Sequence, residues 1–448
     1  MKIIKNKLLG GALVLSVCGV ITKLIGAFYR VPLTNILGAE GMGLYQMVFP
    51  LYTILLTFSS TGAPSGISKL IASGEKPENA LKSALKLFSI MGLLGSFLMA
   101  IFCYPISKLQ GNYLAWILYL LLSPSVFLVS VISCFRGYFQ GLVNMKPTGV
   151  SQIIEQVVKL GLGLILLAFI KGETIIKTSA CVLAVTVSEL IALLWLLIVY
   201  KKHRKVPLKN AKSNVKSVVK TVVPMMLSSV VMPLIRTVDS FLILNVIKTN
   251  ATGYYGLYSG VVESLVGVPV TVCYSLALTS IPIIAKLKTS LEKCNKSLNV
   301  VALTGAISSI MAVAVYIFSD FIINLLYGGL NLQDKLVSIN MLKISSLSVI
   351  LLPIMQSGVA SLNAMGKAKI SILALIISGA IKIITSYILL SNSQIGVYGA
   401  IYGDISCYFV ACFIILGYII YIKLKGKRNE RNYRNRAWSN SERLVGGG

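Results

Sequence analysis

The amino-acid sequence predicts an all-α polytopic membrane protein with about twelve transmembrane helices in two pseudo-symmetric six-helix lobes. Three observations predict this fold class: few charged residues, long apolar runs, and a weak repeat between the two halves. Only 12% of the 448 residues are charged and 56% are hydrophobic, with a mean hydropathy of +0.83. Soluble domains are nearer a quarter charged, and these apolar runs are too long for the short alternating strands of a membrane β-barrel.

Twelve apolar runs are long enough to cross a bilayer, which takes roughly 20 residues. They are residues 8–30, 43–62, 84–105, 113–134, 149–170, 177–200, 217–247, 256–285, 297–326, 338–362, 367–390 and 396–422. A basic linker separates the first six from the last six. The predicted domains are therefore an N-terminal lobe 1–200, the linker 201–216, a C-terminal lobe 217–422 and a basic tail 423–448. We expect the tail to be disordered or to lie against anionic lipids.

The 42 lysines and arginines are unevenly distributed between the two sides of these spans. With the N-terminus placed inside, most of them fall in cytoplasmic segments, as the positive-inside rule requires. The sequence therefore predicts a multi-pass membrane protein with both termini cytoplasmic. The net charge of +28 then reflects topology and affinity for anionic lipid head groups, and it does not indicate nucleic-acid binding.

Matching short segments recur in the two halves in the same order. Ala39-Glu-Gly-Met-Gly-Leu-Tyr45 precedes the second span, and Ala251-Thr-Gly-Tyr-Tyr-Gly-Leu-Tyr258 precedes the eighth. Spans 1 and 7 each contain an arginine, Arg30 and Arg236, and spans 6 and 12 each contain one acid. Because six spans restore the original orientation, the halves are predicted to be parallel repeats related by an axis along the membrane normal.

Basic residues inside the spans are the main chemical signal, because such residues usually face a bundle interior or a water-filled cavity. Lys23 and Arg30 are seven residues apart and share one face of the first span. Arg236 and Asp239 share a face of span 7. A cationic cavity suits an anionic substrate, since arginine binds phosphate bidentately and lysine adds a point charge. The substrate-binding candidates are Arg30, Lys23, Arg236 and Lys382.

The acids inside the spans have separate predicted roles. The candidate coupling or cavity acids are Asp239, Glu263, Asp404 and Glu189. Glu155 and Lys159 are four residues apart with the acid first, which predicts a structural ion pair. A purely structural role is the alternative for several of these charges. Arg30, for example, could extend to the lipid head groups instead of a cavity.

The sequence contains no motif for catalysis or nucleotide binding. It has no Walker A sequence, no G-x-S-x-G, no H-E-x-x-H and no C-x-x-C pair, and its one histidine, His203, lies in the basic linker. We therefore predict that the protein is not an enzyme and needs no cofactor or metal. Transport would be driven by a Na⁺ or H⁺ gradient, by the membrane potential or by a substrate gradient.

Three long segments carry a resemblance to a known family. They are residues 21–52, residues 135–156 and Ile395-Gly-Val-Tyr-Gly-Ala-Ile-Tyr-Gly-Asp404. The chain over residues 1–422 resembles the stage V sporulation protein B family of the multidrug/oligosaccharidyl-lipid/polysaccharide exporter superfamily. This resemblance implies two six-helix lobes around a central V-shaped cavity, alternating access, and a place in a bacterial cell membrane.

The same resemblance implies a substrate. The superfamily includes polysaccharide flippases and MurJ-type lipid II flippases, which use a cationic cavity for a lipid-linked pyrophosphate sugar. Arg30 and Arg236 fall in helices that carry cavity arginines there. MurJ-like flippases have two further helices, beyond twelve, that handle the lipid tail. The resemblance over the twelve predicted spans therefore concerns binding of the head group.

The implied function is a flippase or exporter of a lipid-linked oligosaccharide, a peptidoglycan precursor of the lipid II type for spore cortex or cell wall. Its implied partners are that lipid-linked sugar pyrophosphate, anionic membrane lipids and cell-wall synthesis proteins. The alternative is a cation-coupled multidrug antiporter of the same superfamily, which would use Asp239, Glu263 and Asp404.

Overall fold

The regular structure of this chain is helical, as predicted. A computed structural model describes residues 2–203, 214–219, 222, 230–287 and 289–445, and no strand occurs among them. In chain order the helices are α1 Lys2–Met47, α2 Phe49–Leu56, α3 Ala63–Ala72, α4 Pro77–Ile101, α5 Cys103–Leu109, α6 Trp116–Gly141, α7 Lys146–Phe169, α8 Thr174–His203, α9 Val231–Val246, α10 Ala251–Tyr255, α11 Glu263–Lys286, α12 Ser290–Ile317, α13 Ser319–Leu326, α14 Leu332–Ala364, α15 Ala368–Leu390 and α16 Tyr398–Val445. Short helices of other types are the π-helical segments Thr57–Thr61 and Gly256–Val262 and the 3-10 turn Tyr113–Ala115.

Where the structure describes them, the predicted spans lie mainly in helical segments, but α1 and α16 extend well beyond the predicted bounds and some spans cross two helices. Ten helical segments of the described chain are long and apolar enough to cross a membrane. One of them, Val17–Leu56, contains the greater part of the first predicted span (8–30) and the start of the second (43–62), because α1 continues through a kink at Gly38. At the kink Gly38 has a φ of 69°, which glycine adopts without a steric penalty. The seventh predicted span, 217–247, lies partly outside the described residues.

The last helix differs from expectation. It begins at Tyr398 and continues through the described part of the basic tail to Val445, so the backbone there is helical, which differs from the expected disorder and leaves the expected association with anionic lipids as a prediction. A helix that already exists gains further residues without a second nucleation step. Polar residues that follow a membrane span can therefore remain helical.

The first compact unit comprises Met1–Val268, Ser319–Met341 and Ser386–Ala400. Within it, α6 packs against α3, α4 and α8 around a core that includes Phe88 and Phe139. The unit extends beyond the predicted lobe boundary at 201–216, because α1 packs against α10 and the following π-helical segment. Among the described residues, three α-helices of the second half, α9, α10 and α13, thereby belong wholly to the same compact unit as the first six spans.

The two segments recognised as a sequence repeat contact each other inside this unit. Gly43 and Gly256 each precede a Leu-Tyr pair, and a Cβ atom on Gly256 would lie only 2.5 Å from the Gly43 nitrogen. A Cβ atom on Gly43 would overlap the carbonyl oxygen of Thr252. Small residues allow such close backbone contact between membrane helices. This contact fixes α1 beside the segment that leads into α11.

The second compact unit comprises Pro269–Phe318, Leu342–Thr385 and Ile401–Gly448. Its core includes Met355, Leu362, Ala411 and Ile415, contributed by α14 and α16. The two buried ionisable residues Lys382 and Asp404 belong to this unit. Their contacts are described below with the other charges.

Candidate functional site

The first unit contains a cavity of about 450 Å³, a size typical of small-ligand sites. Its walls come from α1, α2, α9, α10, the second π-helical segment and the first residue of α11. The lining residues are Arg30, Gln46, Phe49, Pro50, Thr53, Met232, Pro233, Arg236, Asp239, Tyr255, Tyr258, Ser259 and Glu263. The cavity thus combines side chains from both halves of the sequence, and four of these side chains carry a charge.

Arg30 is the charged residue that α1 contributes to the cavity. Its Nη1 atom donates a hydrogen bond of 2.6 Å to the Ser264 hydroxyl, which is buried near the start of α11. Ser264 in turn donates to the carbonyl oxygen of Gly260 in the π-helical segment. Arg30 is therefore held by the protein and is half-buried at the cavity wall, rather than extended towards a lipid surface.

Arg236 is the second cavity arginine, and α9 contributes it. Its Nη1 atom lies 2.7 and 2.8 Å from the two carboxylate oxygens of Glu263. The Ser259 hydroxyl donates to the same carboxylate at 3.3 Å. The Arg236 side chain is 48% exposed and that of Glu263 is 21% exposed. This ion pair is therefore open to the cavity and within reach of a ligand.

The formal charges of the cavity lining balance. Arg30 and Arg236 are matched by Asp239 and Glu263, so the charges of the lining residues sum to zero. The sequence predicted an excess of positive charge, and the structure corrects that expectation for this part of the chain. The correction arises because Glu263 is 27 positions from Arg236, and sequence spacing gave no reason to pair them.

Lys23 does not join Arg30 at this cavity. It is exposed on α1 and is not among the lining residues. The seven-residue spacing placed both residues on one helix face, but the cavity extends along only part of that face. The prediction that Lys23 and Arg30 form one binding surface is therefore not supported by this geometry.

Lys382 has a different environment from the one predicted for a substrate-binding residue. Its ammonium group lies 2.6 Å from the Asp404 carboxylate, and both side chains are buried, at 5% and 9% exposure. The Tyr408 hydroxyl donates to the same carboxylate oxygen at 3.2 Å. This positive charge is therefore neutralised inside the second unit, and Lys382 is not among the residues that line the arginine cavity.

Glu155 forms an ion pair with a different residue from the one predicted. The guanidinium of Arg136, on α6, lies 3.0 Å from its carboxylate and also donates to the Ser151 hydroxyl at 2.9 Å. A planar guanidinium can bridge two such acceptors, which a lysine ammonium on the same helix does less well. The predicted Glu155–Lys159 pair is thus replaced by a contact between α6 and α7, although Lys159 remains close enough to feel the Glu155 charge.

Glu189 is buried on α8 and does not line the cavity. Its carboxylate accepts a hydrogen bond of 2.7 Å from the Tyr52 hydroxyl on α2. The carboxylate also lies near the charge of Lys159. Glu189 therefore connects α8 to α2, a helix that forms part of the cavity wall.

Sequence reasoning missed two serines that hydrogen-bond to the charged residues of the cavity. Ser264 and Ser259 contact Arg30 and Glu263, but isolated serines in an apolar helix carry little signal. One clue was available: Glu263 and Ser264 are consecutive polar residues in an otherwise apolar run. These two adjacent polar side chains could therefore have been expected to contact two polar partners from other helices.

Comparison with known proteins places the chain in a family. A family model described as polysaccharide biosynthesis protein matches residues 8–288. Stage V sporulation protein B of Bacillus subtilis (strain 168) is 28% identical over 353 residues, which cover 72% of this chain and 68% of that protein. The lipid II flippase MurJ of the same organism is 25% identical over 428 residues, which cover 87% of this chain and 78% of that protein.

Solved structures show the same fold. A structure of the lipid II flippase MurJ in an inward closed conformation superposes with a TM-score of 0.74 at 15% identity, covering 92% of this chain and 90% of that one. An inward-facing multidrug resistance MATE family transporter gives a TM-score of 0.73 at 15% identity, covering 91% of this chain and 96% of that one. At such low identity these likenesses establish the architecture only.

Proposed function

This chain belongs to the polysaccharide biosynthesis protein family within the MurJ-like part of the exporter superfamily, and we propose that it is a membrane flippase for a lipid-linked oligosaccharide. The proposed substrate is a peptidoglycan precursor of the lipid II type, for spore cortex or cell wall. The cavity of the first unit would bind the pyrophosphate head group, with Arg30 and Arg236 as its ligands.

The meeting of two arginines from different repeats in one cavity is the observation that carries this proposal. Arg30 belongs to the first predicted span and Arg236 to the seventh, and both line the same space. An arginine within a bilayer costs about 2.5–3.5 kcal/mol on insertion scales, so such residues are typically functional. Guanidinium groups match the geometry of phosphate oxygens, and two of them suit the two phosphates of a pyrophosphate.

The proposed transport cycle uses the predicted topology. With both termini cytoplasmic, the head group would enter from inside and leave outside by alternating access. No nucleotide-binding motif is present in the sequence, so the energy would come from a Na⁺ or H⁺ gradient or from the membrane potential. Cell-wall synthesis proteins would supply the lipid-linked substrate or use it after transport.

The test is a translocation assay with the purified full chain in lipid vesicles that contain fluorescently labelled lipid II. We expect Arg30→Gln and Arg236→Gln each to reduce the flipping rate at least about tenfold, because each removes a charged hydrogen-bond donor to phosphate. Lys23→Gln is the matched control. It removes a positive charge from the same helix as Arg30 but outside the cavity lining, so flipping should remain near the wild-type rate.

The result that contradicts the proposal is normal flipping by both arginine variants when they are inserted and folded. The multidrug antiporter is the second candidate, and the presence of Asp239 and Glu263 in the lining favours it. Efflux of a cationic dye that requires these two acids, together with flipping that does not require the arginines, would favour the antiporter instead.

A further inference from the structure

The start of α11 contacts both cavity arginines. Glu263 and Ser264 are its first two residues, and they contact Arg236 and Arg30 respectively. The segment directly follows the π-helical stretch Gly256–Val262, and π-helical turns frequently occur at functional sites. The position of both guanidinium groups therefore depends on the start of this helix.

The two contacts differ in chemistry. Ser264 is neutral and only orients Arg30, whose full charge remains available to a ligand. Glu263 is an anion, and its two oxygens occupy the same Nη1 atom of Arg236 that a phosphate oxygen would bind. A carboxylate and a phosphate monoanion offer guanidinium the same kind of charge-assisted hydrogen bond.

We propose that Glu263 is an internal competitor of the substrate: its carboxylate binds Arg236 when no substrate does, and the head-group phosphate displaces it. This inference rests on the proposed function and adds to it a residue that sets substrate affinity and release. The 48% exposure of the Arg236 side chain gives the head group access to the pair. Partly exposed ion pairs contribute little net free energy, so a multivalent phosphate can replace the carboxylate.

Competition of this kind promotes release of the substrate by a transporter. A cavity with two unpaired arginines would hold pyrophosphate tightly and release it slowly, since most affinity differences appear in the dissociation rate. After displacement, the Glu263 carboxylate keeps the Ser259 hydroxyl as a donor and lies next to the bound anion. It can therefore recapture Arg236 as the phosphate leaves, which promotes release.

The experiment measures binding of inorganic pyrophosphate to the full chain in nanodiscs by isothermal titration calorimetry. We expect Glu263→Gln to bind up to about fivefold more tightly than wild type, because the variant lacks the carboxylate that competes for Arg236 and a partly exposed pair contributes modestly. The same variant should flip lipid II more slowly in vesicles. Glu155→Gln is the matched control, since it also removes the charge of an arginine-paired glutamate but does not line the cavity.

A double-mutant cycle separates competition from a general change in cavity charge. If Glu263 competes for Arg236, the gain in affinity is lost when Glu263→Gln is combined with Arg236→Gln. Glu263→Asp provides a second variant if the first one folds poorly. Its shorter side chain keeps the charge but reaches Arg236 less well, so pyrophosphate binding should still tighten.

Two results overturn the inference. Unchanged or weaker pyrophosphate binding by folded Glu263→Gln and Glu263→Asp would mean that the glutamate positions Arg236 and does not compete with phosphate. A gain that persists without Arg236 would mean that the effect is general electrostatics. If no variant binds pyrophosphate while flipping still requires Arg30, the inference fails and the proposed function stands; if flipping does not require Arg30 either, both fail.

Discussion

Two ion pairs of the same chemical type occupy very different environments in this molecule. Arg236 and Glu263 lie at the cavity of the first unit, with side chains 48% and 21% exposed. Lys382 and Asp404 lie inside the second unit, with side chains 5% and 9% exposed. In the sequence both basic residues look alike, as single cations within apolar spans. Exposure separates them: the first pair is within reach of a ligand, whereas the second is buried inside its own unit.

The buried pair should respond most strongly to the loss of one partner. Lys382→Met leaves the Asp404 carboxylate buried without its counter-ion, which costs about 3–5 kcal/mol for pairs of this kind. We expect a large fall in the yield of folded protein and in its unfolding temperature, measured by size-exclusion chromatography and thermal denaturation. By comparison, Arg236→Gln should change the unfolding temperature little.

The double variant Lys382→Met with Asp404→Leu is the control for that experiment. Replacing both members of a buried pair by apolar residues is often neutral or stabilising. Recovery of folded protein in the double variant would support a structural role. A folded Lys382→Met protein that has lost only transport would show that the lysine acts on the substrate.

The second prediction concerns the contact between α1 and the segment that leads into α11, where the exposed Arg236–Glu263 pair lies. Gly43→Ala places a Cβ atom against the Thr252 carbonyl, where the backbone must shift to accommodate it. Overpacking of this kind typically costs about 1–3 kcal/mol. We expect a lower unfolding temperature and reduced flipping, because α1 moves away from the segment that leads to Glu263.

Gly19→Ala is the matched control on the same helix. A Cβ atom on Gly19 meets nothing within 4 Å, and alanine has the higher helix propensity. Its unfolding temperature should equal or slightly exceed that of wild type. Equal stability of the two variants would contradict the close contact between the repeated segments.

The smallest expected effect is that of Ser264→Ala. This variant removes the 2.6 Å hydrogen bond to Arg30 but keeps the arginine itself. A hydrogen bond to a charged group contributes about 1.5–3 kcal/mol at most when buried, and less where the arginine is half-exposed. Flipping of lipid II should fall several-fold, and by less than in Arg30→Gln.

Ser275→Ala is the control on the same helix, since among the described residues its hydroxyl bonds to the carbonyl oxygen of Val272, one turn earlier in that helix. Its flipping rate should match that of wild type. Loss of activity in Ser264→Ala as complete as in Arg30→Gln would give the serine a direct role in binding the head group.

Much of the fold could be predicted from the sequence because the bilayer imposes strong local constraints. Apolar length located the spans, and in the described chain each predicted span lies on a helix. The repeat Ala39–Tyr45 and Ala251–Tyr258 was visible because glycines recur before the same Leu-Tyr pair. The helical backbone of the basic tail was not predicted, because composition alone does not show that a preceding helix will continue.

The candidate site could be predicted only in part. Arg30, Arg236, Asp239 and Glu263 were all selected as charges inside spans, and all four line the cavity. Lys23 was included because it shares a helical face with Arg30, which is a weaker condition than sharing a cavity. Helical spacing describes neighbours on one helix but says nothing about which other helix covers that face.

The sequence by itself determined the membrane class, the helical spans and the presence of costly charges among apolar residues, because each of these follows from the local composition of the chain. Only the tertiary structure decided which charges meet. Arg236 pairs with Glu263, Arg30 with Ser264, Glu155 with Arg136 and Lys382 with Asp404. Every one of these contacts joins two different helices. Their formation depends on which helices pack together, and the local sequence does not show this.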